Sequence, residues 1–252
     1  MNNGKTDIRG VFFDNVDKKE ALERAKELIT RDGVDVIYTP NSEIVQMCID
    51  DNALYDVINS ASLIIPDGIG VVYASKILGT PLKEKVAGIE LAQDVLSYLA
   101  SEVLGVYLFG SSPARDGIDA VCDIAKKKLL ERYPGLVVSG THDGYFKSEE
   151  TDEIIKGINE SGASVLFVCL GAPKQEKWIY DNRDKLKVSL CMGLGGSLDV
   201  FAGTVKRAPD FFVKANLEWF YRLIKQPARI GRMMNLPRFL FGTIATKGKD
   251  KR

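Results

Sequence analysis

Short runs of β-branched and aromatic residues alternate with amphipathic helical stretches over the first 200 residues, and this alternation leaves few possible fold classes. Runs with strand character lie at residues 10–13, 34–38, 62–65, 105–109, 136–139, 164–170 and 188–192. Helical patterns between them cover residues 18–31, 88–100, 115–132, 149–159 and 174–182. Strands that alternate with helices favour a mostly parallel sheet covered on both faces. The sequence therefore predicts an α/β fold with a Rossmann-like sheet.

The charge distribution sets the end of the chain apart. Residues 1–200 carry 22 lysines and arginines against 31 aspartates and glutamates, whereas residues 201–252 carry 12 against 3. We expect a body domain at residues 1–205 and a basic, aromatic helical appendage at residues 206–252. The appendage should meet an anionic partner, but the acidic body argues against nucleic acid.

The appendage also has the composition of a membrane-surface segment. Arg222, Lys225, Arg229 and Arg232 fall on one helical stripe if Pro227 only kinks the path. Many aromatic and aliphatic residues accompany them, more than a small appendage can bury by itself, which predicts contact with anionic lipid. The alternative is a helix packed on the body or on another subunit, so self-association is also an expectation.

Composition excludes several kinds of site. The four cysteines form no C-x-x-C pair, and we interpret them as reduced core residues. His142 is the only histidine, so a metal site built from two histidines is excluded, and no D-x-D spacing supports a metal-diphosphate clamp. Apolar runs are too short to span a bilayer, and the first residues lack a secretion signal. We expect a cytoplasmic protein without a metal.

Six predicted strands are followed by loops rich in glycine, proline and small polar residues, at residues 39–43, 66–70, 110–113, 140–146, 171–176 and 193–199. In open α/β sheets, ligands bind beyond the carboxyl ends of the strands, which predicts a shared crevice here. A glycine-rich loop at residues 193–197 allows close approach of a phosphate or sugar. It lacks the third glycine of a dinucleotide fingerprint. A nucleotide-type ligand is the prediction.

Individual residues in these loops have two interpretations each. Asp67 is either a general base or the N-cap of the following helix. Asn41 or Ser42 caps the following helix, and a polar group that faces the ligand is compatible with the same geometry. Lys174 either seeks phosphate or pairs with Glu176 on the surface. Asp199 is placed to accept hydrogen bonds from a ribose or a nucleobase. His142 is expected to be structural.

The ordered motifs across the chain resemble those of the WecG/TagA/CpsF glycosyltransferase family. They are T-P-N-S-E (39–43), P-D-G-I-G-V-V (66–72), K-E-K-V-A-G (83–88), G-S (110–111), D-G-Y-F (143–146), G-A-P-K-Q-E-K-W-I (171–179), G-G-S-L-D (195–199), G-T-V-K-R-A-P (203–209) and L-E-W-F-Y-R-L (217–223). The resemblance implies inverting, metal-independent transfer of N-acetylmannosamine from its UDP-sugar to the 4-hydroxyl of N-acetylglucosamine on undecaprenyl diphosphate. The product would have a β1,4 linkage, in wall teichoic acid synthesis. The alternative is another UDP-hexosamine or hexosaminuronate donor in a different cell-surface polysaccharide pathway.

The resemblance also implies roles for particular residues. It makes Asp67 the general base and places Thr39 and Gln175 near the reacting centre. The expected donor-binding residues are Asn41, Gly110, Lys174, Gly195, Gly196 and Asp199. The appendage arginines Arg222, Arg229 and Arg232 would close over the site at the inner face of the cell membrane and neutralise diphosphate charge. One departure is Lys85, where an arginine is expected.

Two other classes of protein are alternatives. A nicotinamide or flavin oxidoreductase needs a glycine-rich loop after the first strand, whereas residues 14–18 read D-N-V-D-K. A nucleic-acid-binding protein would use the basic appendage without binding any UDP-sugar. No cofactor is expected.

Overall fold

A computed structural model describes residues 4–215, 217–225, 231 and 235–247 of the chain. Arg229 and Arg232 lie outside the described residues, and the side chain of Arg222 is not described. The predicted arginine stripe therefore stays a prediction.

The described elements follow one another along the chain with short connections. They are β1 (Lys5–Ile8), β2 (Val11–Asp14), α1 (Lys18–Ile29), β3 (Asp35–Tyr38), α2 (Ser42–Asp50), α3 (Ala53–Asn59), β4 (Leu63–Ile64), α4 (Ile69–Leu78), α5 (Gly88–Glu102), β5 (Gly105–Gly110), α6 (Val121–Arg132), β6 (Val137–His142), α7 (Thr151–Glu160), β7 (Val165–Cys169), α8 (Lys174–Asn182), β8 (Leu190–Gly193), α9 (Ser197–Phe201), α10 (Asp210–Lys214), α11 (Glu218–Lys225) and α12 (Asn235–Thr246).

Six strands form the main sheet in the order β4, β3, β8, β7, β5, β6, and every neighbouring pair is parallel. Strands β5, β7 and β8 are buried along their whole length, as expected for a sheet covered on both faces. Alternate residues enter two separate apolar clusters: Leu108 packs on one side of the sheet and Phe109 on the other. The predicted α/β architecture is confirmed.

The strand predicted at residues 10–13 does not join this sheet. It lies in β2, which pairs antiparallel with β1 in a separate hairpin. Arg9 and Gly10 form the turn with φ values of 56° and 88°, the left-handed backbone that a two-residue hairpin turn requires. The first strand of the parallel sheet is instead β3. The loop after β3 begins with T-P-N-S-E, which contains no glycine. The glycine-rich loop that an oxidoreductase needs is therefore missing after this strand too.

The order of the strands creates a switch point in the middle of the sheet. From β3 the chain adds β4 on one side, and it then crosses over to build β5 and β6 on the other. Strand β8 returns to lie between β3 and β7. Loops that leave β3 and β8 therefore diverge at the carboxyl edge, where ligands of open α/β sheets bind.

Helix α12 packs back onto the body, against α2 and α4. The Phe239 side chain is fully buried there, and Arg238 makes two hydrogen bonds of 3.1 Å with the Asp50 carboxylate. This part of the appendage thus matches the packed-helix alternative. A division into domains after residue 205 stays a prediction.

Candidate active site

A cleft of about 630 Å³ opens at the carboxyl edge of the sheet, where the loops after β3, β4, β5, β6, β7 and β8 meet. Seven of the predicted site residues line it: Thr39, Asn41, Asp67, Gln175, Gly195, Gly196 and Asp199. Gly110 and Lys174 do not line it. These seven residues come from four of the loops, those that follow β3, β4, β7 and β8.

Asp67 lies two positions before Ile69, where α4 begins, and directly before the N-cap residue. Gly68 occupies the N-cap position, without any side-chain cap, and its φ of 86° favours glycine. The N-cap position that the sequence offered to Asp67 is therefore taken by Gly68. The Asp67 backbone N–H donates to the Pro40 carbonyl at 3.2 Å, so the backbone of this residue is tied to the loop that follows β3.

The loop after β3 contributes two residues with structural partners. Asn41 caps α2, and its Oδ1 accepts from the backbone N–H groups of Glu43 and Ile44 at 2.9 and 3.1 Å. Since it also lines the cleft, capping does not prevent it from facing a ligand. The Thr39 hydroxyl donates to the Gly193 carbonyl at 3.1 Å. Thr39 therefore joins the ends of β3 and β8.

Gln175 joins the loops that follow β7 and β8. Its Oε1 accepts from the backbone N–H groups of Gly171 and Gly195 at 3.2 and 2.9 Å. Its Nε2 donates to Glu176 Oε1 at 2.8 Å. Both lone pairs of Oε1 are thus used within the protein. The geometry gives Gln175 the part of a positioning residue for two loops that line the cleft.

The loop after β5 supplies Ser111 rather than Gly110. A side chain at Gly110, whose φ is 131°, would collide with the Cys169 backbone, so the glycine allows β5 and β7 to approach. Ser111 lines the cleft, and its hydroxyl donates to Asp199 Oδ2 at 2.9 Å. Sequence analysis passed over Ser111, although it stands in the G-S motif.

Lys174 lies beside the cleft. Its Nζ donates to the Gly144 carbonyl at 3.1 Å and sits 4.4 Å from the centroid of the Phe146 ring. It does not form the surface pair with Glu176 that was considered, because Glu176 is buried. Next to it, Tyr145 lines the cleft and is 73% exposed. The exposed ring was also missed, since a single tyrosine in a loop has no periodic signal.

His142 is structural, as expected. The ring packs edge-on against Phe109 and Phe146, and Nδ1 lies 2.7 Å from the Asp143 carbonyl.

Glu176 is an unusual buried acid directly behind the cleft. Its side chain is 1% exposed. Its Oε2 atom makes no hydrogen bond with the part of the chain that the structure describes. Burial raises the pKa of the Glu176 carboxyl above its ordinary value of 4.5, although the hydrogen bond from Gln175 opposes the shift. Deprotonation of Glu176 therefore costs stability.

We expect Glu176→Gln to change how stability depends on pH. A raised folded-state pKa favours folding fully below the unfolded pKa of about 4.5, and the advantage is lost as pH rises toward the folded-state value. The variant should therefore be more stable than wild type at pH 7 to 8, and the difference should shrink towards pH 4.5. Thermal midpoints between pH 4.5 and 8 test this, with exposed Glu131→Gln as the control. Parallel curves for wild type and Glu176→Gln would contradict it.

Charged residues connect the body to α11 at the mouth of the cleft. Lys85 Nζ lies 3.1 Å from Glu218 Oε2, and Arg207 Nε lies 3.5 Å from Glu218 Oε1. Arg207 also donates to Glu90. Burial alone would raise the pKa of Glu90, but the hydrogen bond and charge of Arg207 outweigh it and hold the pKa below its usual range. Lys85 thus contacts the appendage, and Arg207 is a site residue that sequence analysis missed.

No three histidine, cysteine, aspartate or glutamate side chains are grouped to hold a metal ion within the described ranges. Metal independence stays a prediction. Of the helices described, none combines the length and apolar character needed to cross a membrane.

Comparison with known proteins identifies the family. A family model described as the glycosyl transferase WecG/TagA/CpsF family matches residues 6–252. Relatives from Staphylococcus aureus strains MW2, NCTC 8325 / PS 47 and MRSA252 are each 36% identical over 253 residues, covering 100% of this chain and 96% of the relative. Each is named N-acetylglucosaminyldiphosphoundecaprenol N-acetyl-beta-D-mannosaminyltransferase.

The crystal structure of a protein from Burkholderia cenocepacia J2315 aligns with this chain at 19% identity and a TM-score of 0.29. The alignment covers 92% of this chain and 95% of the chain in that structure. A likeness that weak supports no conclusion. The match to the family model and the full-length relatives show the family. This chain belongs to the WecG/TagA/CpsF family of glycosyltransferases.

Proposed function

We propose that the protein transfers N-acetylmannosamine from UDP-N-acetylmannosamine to the 4-hydroxyl of N-acetylglucosamine on undecaprenyl diphosphate. The product would carry a β1,4 linkage, and UDP would be released. The observation that carries this proposal is the cleft at the switch point of the sheet, with the Asp67 carboxylate in its lining. The names of the Staphylococcus aureus relatives support the choice of donor and acceptor.

The nucleotide half of the donor is assigned to the loops after β5 and β8. Gly195 and Gly196 leave room for a phosphate or ribose to approach the backbone, and Asp199 is held by Ser111 with acceptor oxygens in the cleft. Ribose hydroxyls and the uracil N–H are donors, which suits a carboxylate. The exposed Tyr145 ring adds a flat apolar surface for a base or sugar.

Asp67 is assigned as the general base. As the acceptor 4-hydroxyl attacks the anomeric carbon, its proton passes to the Asp67 carboxylate. The new carbon–oxygen bond forms on the face opposite the breaking bond to UDP, so the anomeric configuration inverts. The electron pair of the broken bond leaves with the diphosphate.

The negative charge that develops on the leaving diphosphate needs cations. Lys206 and Arg207 line the cleft, and Lys85 approaches its mouth through Glu218. The predicted appendage arginines, Arg222, Arg229 and Arg232, would add to them. We propose that these side chains take the place of a metal in stabilising the leaving group.

The lipid-linked acceptor is proposed to arrive at the appendage side of the cleft. Exposed apolar side chains cluster in the appendage helices: Phe211, Trp219, Phe220, Ile224, Phe241 and Ile244. Together with the basic composition of residues 206–252, they suit the cytoplasmic surface of an anionic membrane. Helix α11 contributes Glu218 and Tyr221 to the lining, so a membrane-bound appendage would border the reaction.

The test is UDP release by the purified full-length chain with EDTA present. The acceptor is lipid-linked N-acetylglucosamine diphosphate, and UDP-N-acetylmannosamine and UDP-N-acetylglucosamine are offered in separate reactions. Turnover with only the first donor supports the proposal. Turnover only with a different UDP-hexosamine or hexosaminuronate would move the enzyme to another polysaccharide pathway, and activity that requires added metal would overturn metal independence.

A further inference from the structure

We infer that Glu218 is a built-in competitor for the donor diphosphate: its carboxylate occupies an anion site formed by Lys85 and Arg207, and donor binding displaces it. The inference rests on the proposed function, because it takes the ligand to be a nucleoside diphosphate sugar. The inference adds two states of the appendage. In the latched state, the ion pairs of Glu218 hold α11 to Lys85 and Arg207; in the released state, these ion pairs are broken.

The first support is the placement of the carboxylate. Glu218 lines the cleft, and its two oxygens face two different cations, Lys85 at 3.1 Å and Arg207 at 3.5 Å. Lysine and arginine together form a site that accepts a carboxylate or a phosphate by the same charge-assisted contacts. A negative group from the appendage therefore already fills a position that suits a ligand phosphate.

The second support is that Arg207 is only partly satisfied. Its guanidinium is anchored to the body by Glu90, which lies in the first turn of α5. Its Nε is buried and makes no hydrogen bond with any residue that the structure describes, although Glu218 is nearby. A phosphate oxygen would offer this donor a better partner, while Glu90 continues to hold the side chain in place.

The third support is the strength of the contact. The exposed fractions of the Lys85, Glu218 and Arg207 side chains are 15%, 21% and 27%, so the contacts are only partly screened by solvent. A single carboxylate carries less charge than a diphosphate, so the diphosphate is the stronger ligand for the same two cations. We therefore expect the contact to hold α11 in place without nucleotide and to give way to a diphosphate.

Exchange of the two anions has a direct mechanical consequence. Because Glu218 begins α11, its displacement removes both ion pairs that tie this helix to Lys85 and Arg207. Donor binding would then free α11 to rearrange around the site. Lys85 and Arg207 would contact the diphosphate instead.

Glu218→Gln in the full-length chain tests the competition. The variant keeps the size of the side chain but removes its charge. UDP is expected to bind about 3- to 10-fold more tightly than to wild type. Affinity for uridine, which lacks the diphosphate, should not change. Glu131→Gln, an exposed change of the same charge on α6, should match wild type with both ligands.

Amide hydrogen exchange of the ligand-free chain tests the latch without any nucleotide. Exchange in α11 is expected to be about 5-fold faster or more in Glu218→Gln, with α5 unchanged. Unchanged exchange in α11 would overturn the inference. A UDP affinity of Glu218→Gln that is equal to or below that of wild type, while uridine binding persists, would also overturn it. A wild-type chain that binds no UDP would instead overturn the donor class, and hydrogen exchange would then decide the latch.

Discussion

Asp67→Asn is expected to lower turnover by about 10²-fold or more while the variant still binds the UDP-sugar. Asparagine keeps the shape of the side chain but cannot take the proton from the attacking hydroxyl. The backbone of this residue is held by the Pro40 carbonyl and by the glycine turn at Gly68, so the substitution should not disturb the loop. Steady-state rates of UDP release, together with donor affinity measured by calorimetry, provide the test.

Asp199→Asn is the matched control, because it makes the same change in the same cleft. Asp199 is assigned to donor binding and is hydrogen-bonded to Ser111, so its loss should raise the KM for the donor more than it lowers kcat. Near-normal turnover by Asp67→Asn would remove this residue from the role of general base. An equal loss of kcat in both variants would mean that the cleft needs its total charge rather than one base.

Phe239→Ala is expected to lower the free energy of unfolding by about 3–5 kcal/mol. Phe239 is fully buried where α12 packs on the body, and truncation would leave a cavity in the cluster that it joins. The Thr243 hydroxyl donates to the backbone carbonyl of Phe239 at 2.8 Å, and the substitution leaves this hydrogen bond in place. Chemical denaturation followed by circular dichroism measures the change.

Phe241→Ala on the same helix is the control. Its side chain is 72% exposed, and removal of an exposed side chain usually changes stability by no more than about 0.5 kcal/mol. A similar, small effect of both substitutions would show that α12 does not belong to the core. A large effect of Phe239→Ala alone would mean that the end of the appendage is part of the folded body.

Much of the fold was predictable, because local periodicity reports burial. The apolar runs of β5, β7 and β8 are continuous since both faces of these strands are covered, and they were recognised from the sequence. Strand β1 was missed because its four residues, K-T-D-I, are too short and too polar for such a signal. The turn at Arg9 and Gly10 pairs β2, the first predicted strand, with β1, so β2 lies in a separate hairpin and not in the main sheet.

The cleft was predictable for a related reason. Parallel strands direct their carboxyl ends to one edge, so any polar loop that follows a strand arrives there, as Thr39, Asp67 and Asp199 do. The role of an individual loop residue was not predictable in the same way. Gln175 was expected to act near the reacting centre, but its amide is occupied by hydrogen bonds to two backbone N–H groups and to Glu176.

The order of short apolar runs and amphipathic helices was enough to determine the class of fold and the edge of the sheet that carries the site. Tertiary structure alone decided which polar and charged side chains meet. Ser111 pairs with Asp199 across 88 residues of chain, Arg207 with Glu90 across 117, and Lys85 with Glu218 across 133. Periodicity records which face of an element is buried, but an ion pair depends on the position of two distant elements in space. The anion site at the cleft mouth therefore exists only in the folded chain.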